Sequence, residues 1–225
     1  MSLPADFRLN AALFDLDGTL VRTFIDFPAM RRAMQAHSEA WGTGTLTEAE
    51  DDILAIVDCM TTVLGSERGE EARQEAFAIL QAMEEEGCAH PERIAGASEL
   101  LTTLHDLHRI PIGIITRNCR PVAESLLLRM NLPFDILTAR EDVREFKPHP
   151  APVWHTCAAL GVSPQDSVMV GDLWADIASA RAAGVGFTVG IQWAHDPPRR
   201  FEKCAPHREV ASMEETAGLL LDHLR

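Results

Sequence analysis

From Ala95 onward, short apolar runs alternate with stretches whose apolar residues recur at helical spacing, and this alternation constrains the fold more than any other feature of the chain. The runs at 110–115, 135–138, 167–170 and 186–189 read as buried strands. Helical stretches fall between and after them, at 97–108, 120–130, 152–160, 174–183 and 213–224. Strands and helices in alternation predict a parallel sheet covered on both faces, an α/β fold. A further run at 9–14 supplies a first strand, but three helical stretches follow it, at 27–41, 48–64 and 70–86. In the second of these, Ile53, Ile56, Val57, Met60 and Val63 or Leu64 repeat with a helical period. An all-helical block therefore interrupts the α/β pattern after its first strand.

Length agrees with that division. At about 150 residues per domain, 225 residues make one domain with a sizeable insertion, or two small ones. The predicted boundaries are 1–21 with 92–225 for the α/β core and 22–91 for the helical insertion. A chain of this size buries about 70–75% of its unfolded surface, so stability requires neither a disulfide nor a structural metal. The five cysteines, Cys59, Cys88, Cys119, Cys157 and Cys204, are odd in number and lack C-x-x-C spacing, which predicts free thiols.

The formal charge of −14 argues against a partner held by many phosphate contacts, so no nucleic-acid binding is expected. Between 45 and 90, twelve acids face two arginines and carry −10 of that charge, which reads as a solvated helix face. Residues 22–44 are mildly positive, through Arg22, Arg31 and Arg32, and are better suited to an anion. No apolar run approaches 18 residues and the first ten show no basic-then-apolar pattern, so no membrane span or secretory signal is expected and a cytoplasmic location is.

Four polar fragments follow predicted strands. Asp15 and Asp17 end the first; alternation along an extended segment sends both carboxylates to one side, at the carboxyl edge where open α/β sheets keep their reactive crevice. An Asp-Gly turn with an incidental second acid is the plainer reading of that pair alone. Thr116 follows 110–115, so its hydroxyl and the next backbone N–H groups emerge at the same edge, where such groups hold phosphate oxygens or cap a helix. Lys147 precedes Pro148 in a polar loop and, alone, is a surface lysine. Asp172 and Asp176 stand four apart where a helix opens after 167–170, a spacing that also suits a helix start. Together with Asp15 and Asp17 they offer the all-oxygen donor set that Mg²⁺ prefers.

The order Asp-Leu-Asp-Gly-Thr-Leu, Thr116, Lys147-Pro148, Gly-Asp-x-x-x-Asp resembles the haloacid dehalogenase-like hydrolases, in particular the phosphoglycolate-phosphatase-like branch with a helical cap after the first strand. The resemblance spans about 12–220. It implies a Rossmann-like sheet, Mg²⁺ as cofactor, and hydrolysis of a small phosphorylated metabolite. By the family's pattern Asp15 is the nucleophile that becomes an aspartyl-phosphate and Asp17 the general acid and base. Thr116 holds phosphoryl oxygens, while Lys147 neutralises charge and orients Asp15. Metal ligands are Asp15, the Asp17 carbonyl and Asp172, with Asp176 in or just behind them. Leu16, Asp17 and Arg117 contribute backbone N–H groups to the phosphate, and Asn118 is a further contact.

An acid at position 17 disfavours dehalogenation, in which no alkoxide needs a proton. A sugar-phosphate phosphomutase and a catalytically silent binding protein are the alternatives. Elsewhere, Arg117 also suits a surface ion pair, and Cys119 reads as an inert thiol. His105 and His108 read as part of an amphipathic helix and His149 as a loop-shaping residue. Trp193 and His195 either border the pocket or pack their loop, and Phe24, Phe27, Arg31 and Arg32 are candidates for substrate selection.

Overall fold

A computed structural model describes residues 3–4, 7–47, 52–194 and 200–224. Two compact units divide it, one of 1–23 with 91–225 and the other of 24–90. Among the described residues the larger unit holds a six-stranded sheet in the order β5-β4-β1-β6-β7-β8. The strands are β1 (Ala11–Phe14), β4 (Ile112–Ile115), β5 (Ile136–Thr138), β6 (Ser167–Gly171), β7 (Phe187–Ile191) and β8 (Arg208–Val210), and every pairing is parallel. A separate antiparallel pair joins β2 (Val21–Arg22) to β3 (Glu92–Arg93).

β1 lies between β4 and β6, with Phe14 in register with Ile114 on one side and Val170 on the other. The chain builds outward from β1 to β4 and β5, then crosses back to β6 and continues to β7 and β8. That reversal makes the carboxyl end of β1 a topological switch point, where flanking loops diverge and leave a crevice.

Helices α5 (Ala97–Thr102), α6 (Arg120–Met130), α7 (Ala151–Leu160), α8 (Trp174–Ala183) and α9 (Met213–His223) accompany the sheet. Helix α7 packs on β4 and β5, and α8 on β6 and β7. Between them Leu13, Ile115, Val153, Cys157, Met169, Ala180 and Val185 form one buried cluster; each large aliphatic side chain there contributes about 1.5–3 kcal/mol of burial. Gly113 permits the approach of α7, because a Cβ at that position would stand 2.4 Å from Thr156 Cγ2.

The smaller unit holds α1 (Phe27–Ala40), α2 (Gly44–Thr47), α3 (Ile53–Leu64) and α4 (Ser66–Gly87). Asp26 caps α1 by accepting from the N–H of Ala29, and Asp52 caps α3 by accepting from those of Leu54 and Ala55. Its core is Met30, Met34, Leu54, Ile56, Val57, Met60, Ala72, Ala76 and Leu80. On α4, Glu67, Glu70, Glu71, Glu75, Glu85 and Glu86 face solvent, whereas Glu84 is buried.

Several elements depart from the sequence reading. Helix α3 starts at Ile53, behind its Asp52 cap, and 48–51 lie outside the described residues. Helix α4 begins four residues before the predicted 70, and the predicted helix 97–108 is α only to Thr102, ending in a π turn over Thr103–Leu107. Strands β2, β3 and β8 were not expected. All five cysteines are free. Among the described residues no helix is long and apolar enough to cross a membrane.

Candidate active site

Three adjacent strands deliver three of the four polar fragments to one edge of the sheet, and the loop before α7 brings Lys147. Asp15 directly follows β1 and its N–H donates to the Val170 carbonyl of β6 at 3.0 Å. Thr116 directly follows β4 and its N–H donates to the Thr138 carbonyl of β5 at 3.0 Å. Asp172 follows β6, and Asp176 sits in the first turn of α8. Backbone pairing thus fixes where the side chains begin, and burial fixes the remainder: Asp15, Thr116, Asn118, Lys147, Asp172 and Asp176 are all buried.

Lys147 is not the surface lysine that its local sequence suggests. It is 3% exposed and donates to Asp15 Oδ1 at 2.5 Å, Asp176 Oδ1 at 2.6 Å and the Ile115 carbonyl at 2.9 Å. Burial works against its charge, but the two carboxylates outweigh that cost and hold the ammonium above its ordinary range. Asp176 is also engaged on its other oxygen, which accepts from the N–H of Leu173 at 3.0 Å. It therefore both starts α8 and anchors Lys147.

Asp15, Asp172 and Asp176 each bring a carboxylate oxygen within 4.8 Å of the others. Burial raises the Asp15 carboxyl well above its usual range, against the pull of Lys147. The Asp172 carboxyl is pushed up to about 6, chiefly by burial and then by the neighbouring Asp176, with Arg200 acting in the opposite sense. Three carboxylates facing one ammonium and one guanidinium leave net negative charge in a buried place. The donors are all oxygen, and their spread approaches the ~4.2 Å between opposite oxygens of an octahedral ion with ~2.1 Å bonds. A hard divalent cation fits both the donor chemistry and the charge.

Beside this cluster, Asp17 is held by a second set of contacts. Thr116 Oγ1 donates to it at 3.3 Å and Asn118 Nδ2 at 3.3 Å. Burial raises its carboxyl, while hydrogen bonds from Thr23, Asn118 and Thr116 oppose the rise. Thr116 also accepts from the N–H of Asn118 at 3.1 Å, so it organises the loop after β4 rather than capping α6, whose first residue is Arg120. Leu16 is fully buried. Arg117 is half-buried in the same loop, where its carbonyl accepts from Arg140 at 3.4 Å.

Contacts outside the predicted set complete the site. Thr19, inside the Asp-Leu-Asp-Gly-Thr-Leu run, donates to Asp172 Oδ1 at 3.0 Å. Arg200 donates through Nε to the Asp172 carbonyl and through Nη2 to Asp172 Oδ2. Trp193 borders the site, with Nε1 donating to the Gly18 carbonyl at 2.7 Å. Gly18 has φ +86°, and a Cβ there would lie 2.6 Å from Asp172 Oδ2, so both conformation and space demand glycine. His195 lies outside the described residues. His149 is a loop residue, its Nδ1 accepting from the N–H of Ala151 and its carbonyl from Ser179. His105 pairs with Asp106 and Asp135 on the surface, and Cys119 is wholly buried.

A family model described as haloacid dehalogenase-like hydrolase matches residues 12–189. The chain is 31% identical over 193 residues to a validoxylamine A 7'-phosphate phosphatase of Streptomyces hygroscopicus subsp. limoneus, covering 83% of this chain and 87% of that protein. It is 32% identical over 204 residues to a phosphoglycolate phosphatase of Chromobacterium violaceum, again covering 83% and 87%. The fold matches the crystal structure of a hydrolase from Pseudomonas syringae with a TM-score of 0.66, at 21% identity and covering 95% of this chain and 98% of that one. With a match that runs from β1 into β7 and takes in every one of the four fragments, the chain belongs to the haloacid dehalogenase-like hydrolases, in their phosphoglycolate-phosphatase-like branch.

Proposed function

We propose that this chain is a Mg²⁺-dependent phosphatase that hydrolyses a small soluble phosphomonoester in the cytoplasm through an aspartyl-phosphate. The observation that carries the reading is the placement of Asp15 at the carboxyl end of the central strand, bonded to buried Lys147 and grouped with Asp172 and Asp176. With Oδ1 of Asp15 occupied by Lys147, Oδ2 is the oxygen that attacks. A bond forms from Oδ2 to phosphorus as the ester P–O bond breaks, and the departing alkoxide takes its proton from Asp17. Water then attacks the aspartyl-phosphate and gives a proton back to Asp17, while the bond between phosphorus and Asp15 breaks. Before substrate arrives Thr116 and Asn118 orient Asp17, and Thr116 then turns its one hydroxyl proton to a phosphoryl oxygen while Asn118 keeps Asp17 in place.

Lys147 offsets charge on the phosphoryl group, and Thr116, Asn118 and the N–H groups of Leu16, Asp17 and Arg117 receive its oxygens. Asp15, the Asp17 carbonyl and Asp172 would hold Mg²⁺, which when bound supplies positive charge to the phosphoryl oxygens. Asp176 stands in or just behind them, with one oxygen bonded to Lys147 and the other to the N–H of Leu173. The helical unit is read as the family's cap, with Phe24, Phe27, Arg31 and Arg32 as its candidates for choosing a substrate. Relatives named for phosphoglycolate and validoxylamine 7'-phosphate support a phosphorylated metabolite as the substrate class.

The test is release of free phosphate from a panel of phosphorylated metabolites, with and without Mg²⁺, run beside Asp15→Asn. Mg²⁺-dependent release that vanishes in the variant, with Tm within a few degrees of wild type, is expected. Conversion of a sugar phosphate to its isomer without net phosphate would identify a mutase instead.

A further inference from the structure

Arg200 comes from the connection between β7 and β8, outside the four fragments that define the site. Its guanidinium grips Asp172 twice, on the main-chain carbonyl and on Oδ2. The other carboxylate oxygen accepts from Thr19. Both oxygens of a candidate metal ligand are therefore engaged by protein, one of them by a full positive charge. The two partners differ in kind. A hydroxyl can remain on an oxygen that also binds a cation, since each carboxylate oxygen has two acceptor positions. A guanidinium on the same carboxylate repels that cation directly.

Space exists for the arginine to withdraw. A surface depression of about 310 Å³ is lined by Gln192, Arg200, Phe201, Glu202 and Glu209. Arg200 is one of its lining residues, and two of the others are acids. The Asp172 side chain is 2% exposed whereas that of Arg200 is 21% exposed, so Arg200 is the partner with access to solvent.

We infer that Arg200 is an internal counter-ion for Asp172, holding the carboxylate while the divalent cation is away and withdrawing toward Glu202 and Glu209 when the cation binds. The inference rests on the proposed Mg²⁺ site and adds a competitor to it. Arg200 thereby sets metal affinity and keeps the empty site folded, without touching substrate.

Calorimetric titration of the full chain with Mg²⁺ tests this in wild type, Arg200→Gln and Arg200→Lys. Removing the charge is expected to tighten Mg²⁺ binding by about tenfold or more, whereas lysine, which keeps the charge but loses the two-pronged grip, is expected to fall between glutamine and wild type. In EDTA, Arg200→Gln should melt below wild type and recover more of its Tm on adding Mg²⁺. As a measurement free of folding defects, the Nε–H resonance of Arg200 in the wild-type protein should shift and exchange faster with water as Mg²⁺ is added. Equal or weaker Mg²⁺ binding by a folded Arg200→Gln, or an unmoved Arg200 resonance, overturns the inference while leaving the phosphatase reading intact. Absence of Mg²⁺ binding in wild type overturns the metal reading and this inference with it.

Discussion

The ammonium of Lys147 lies 2.5 Å from Oδ1 of Asp15, although 132 positions separate them in the chain. Both side chains are buried, and the same ammonium reaches Asp176 from a third segment. One cation thus ties the first strand, the loop before α7 and the start of α8 into a single electrostatic unit. Lys147→Met keeps the stem but leaves two buried carboxylates without their counter-charge. Its cost in urea denaturation is expected to be about 3–5 kcal/mol, and a second change, Asp176→Asn, should return part of it. A loss below about 1 kcal/mol would contradict a buried, desolvated pair.

Asp17→Asn removes a proton donor while keeping a side chain that Thr116 can still reach. Turnover of alkyl phosphates is expected to fall by about 10²–10⁴-fold, and that of p-nitrophenyl phosphate by much less, because nitrophenolate leaves without needing a proton. Equal losses on both substrates in steady-state assays would remove the acid role from Asp17.

Gly18→Ala places a methyl 2.6 Å from an oxygen of Asp172 on a backbone with φ +86°. Left-handed strain and crowding together should cost about 1–3 kcal/mol, and phosphate release should fall more steeply than stability does. Trp193→Phe, which loses the bond to the Gly18 carbonyl and part of the ring, should cost about 1 kcal/mol or more.

Thr138 and Thr156 share a buried bond of 2.7 Å between their hydroxyls, and Thr156 also donates to the Pro152 carbonyl at 2.8 Å. Thr138 is accordingly the donor to Thr156. Thr156→Val strands that donor and should cost about 1–3 kcal/mol, whereas Thr138→Val removes it and should cost about 1 kcal/mol. Thermal unfolding of the double variant should show less than the sum of the two.

His207 should make stability depend on pH. Its ring stacks on Phe187, and its Nδ1 accepts from the N–H of Thr188 at 3.0 Å, which requires a neutral imidazole. Partial burial of the ring against Phe187, on a residue that is otherwise exposed, and then the nearby Arg181 lower its pKa below the ordinary 6.5. The unfolded chain therefore binds this proton first as pH falls, so the contribution is complete above 6.5 and declines below it, down to the folded value. Imidazole NMR titration should report that lowered value, and His207→Gln should flatten the slope of stability against pH below 6.5. A titration at or above 6.5 would refute the assignment.

What the chain reveals of itself differs between site and scaffold. Asp15, Thr116 and Asp172 were legible because each follows an apolar run, and a strand's end fixes where its next residue points. Lys147 belongs to no such run; its burial depends on partners 132 and 29 residues away, which local sequence does not encode. Arg200 lies in a loop with no periodic signal at all. Strands β2 and β3 are two residues each, too short for any alternation, and β8 exposes two of its three residues, so neither pattern nor hydrophobicity marks them. Helix α3 carried its cap signal in Asp52, yet the acids before it extended the apparent helix backward.

A short antiparallel ladder pairs Val21 with Arg93 and Arg22 with Glu92. It holds the two ends of the intervening polypeptide side by side within the larger unit, so the sheet's own chain is closed on itself at the point where the insertion leaves and returns. A two-residue Asn-Gly hairpin is all that geometry would need to close the gap.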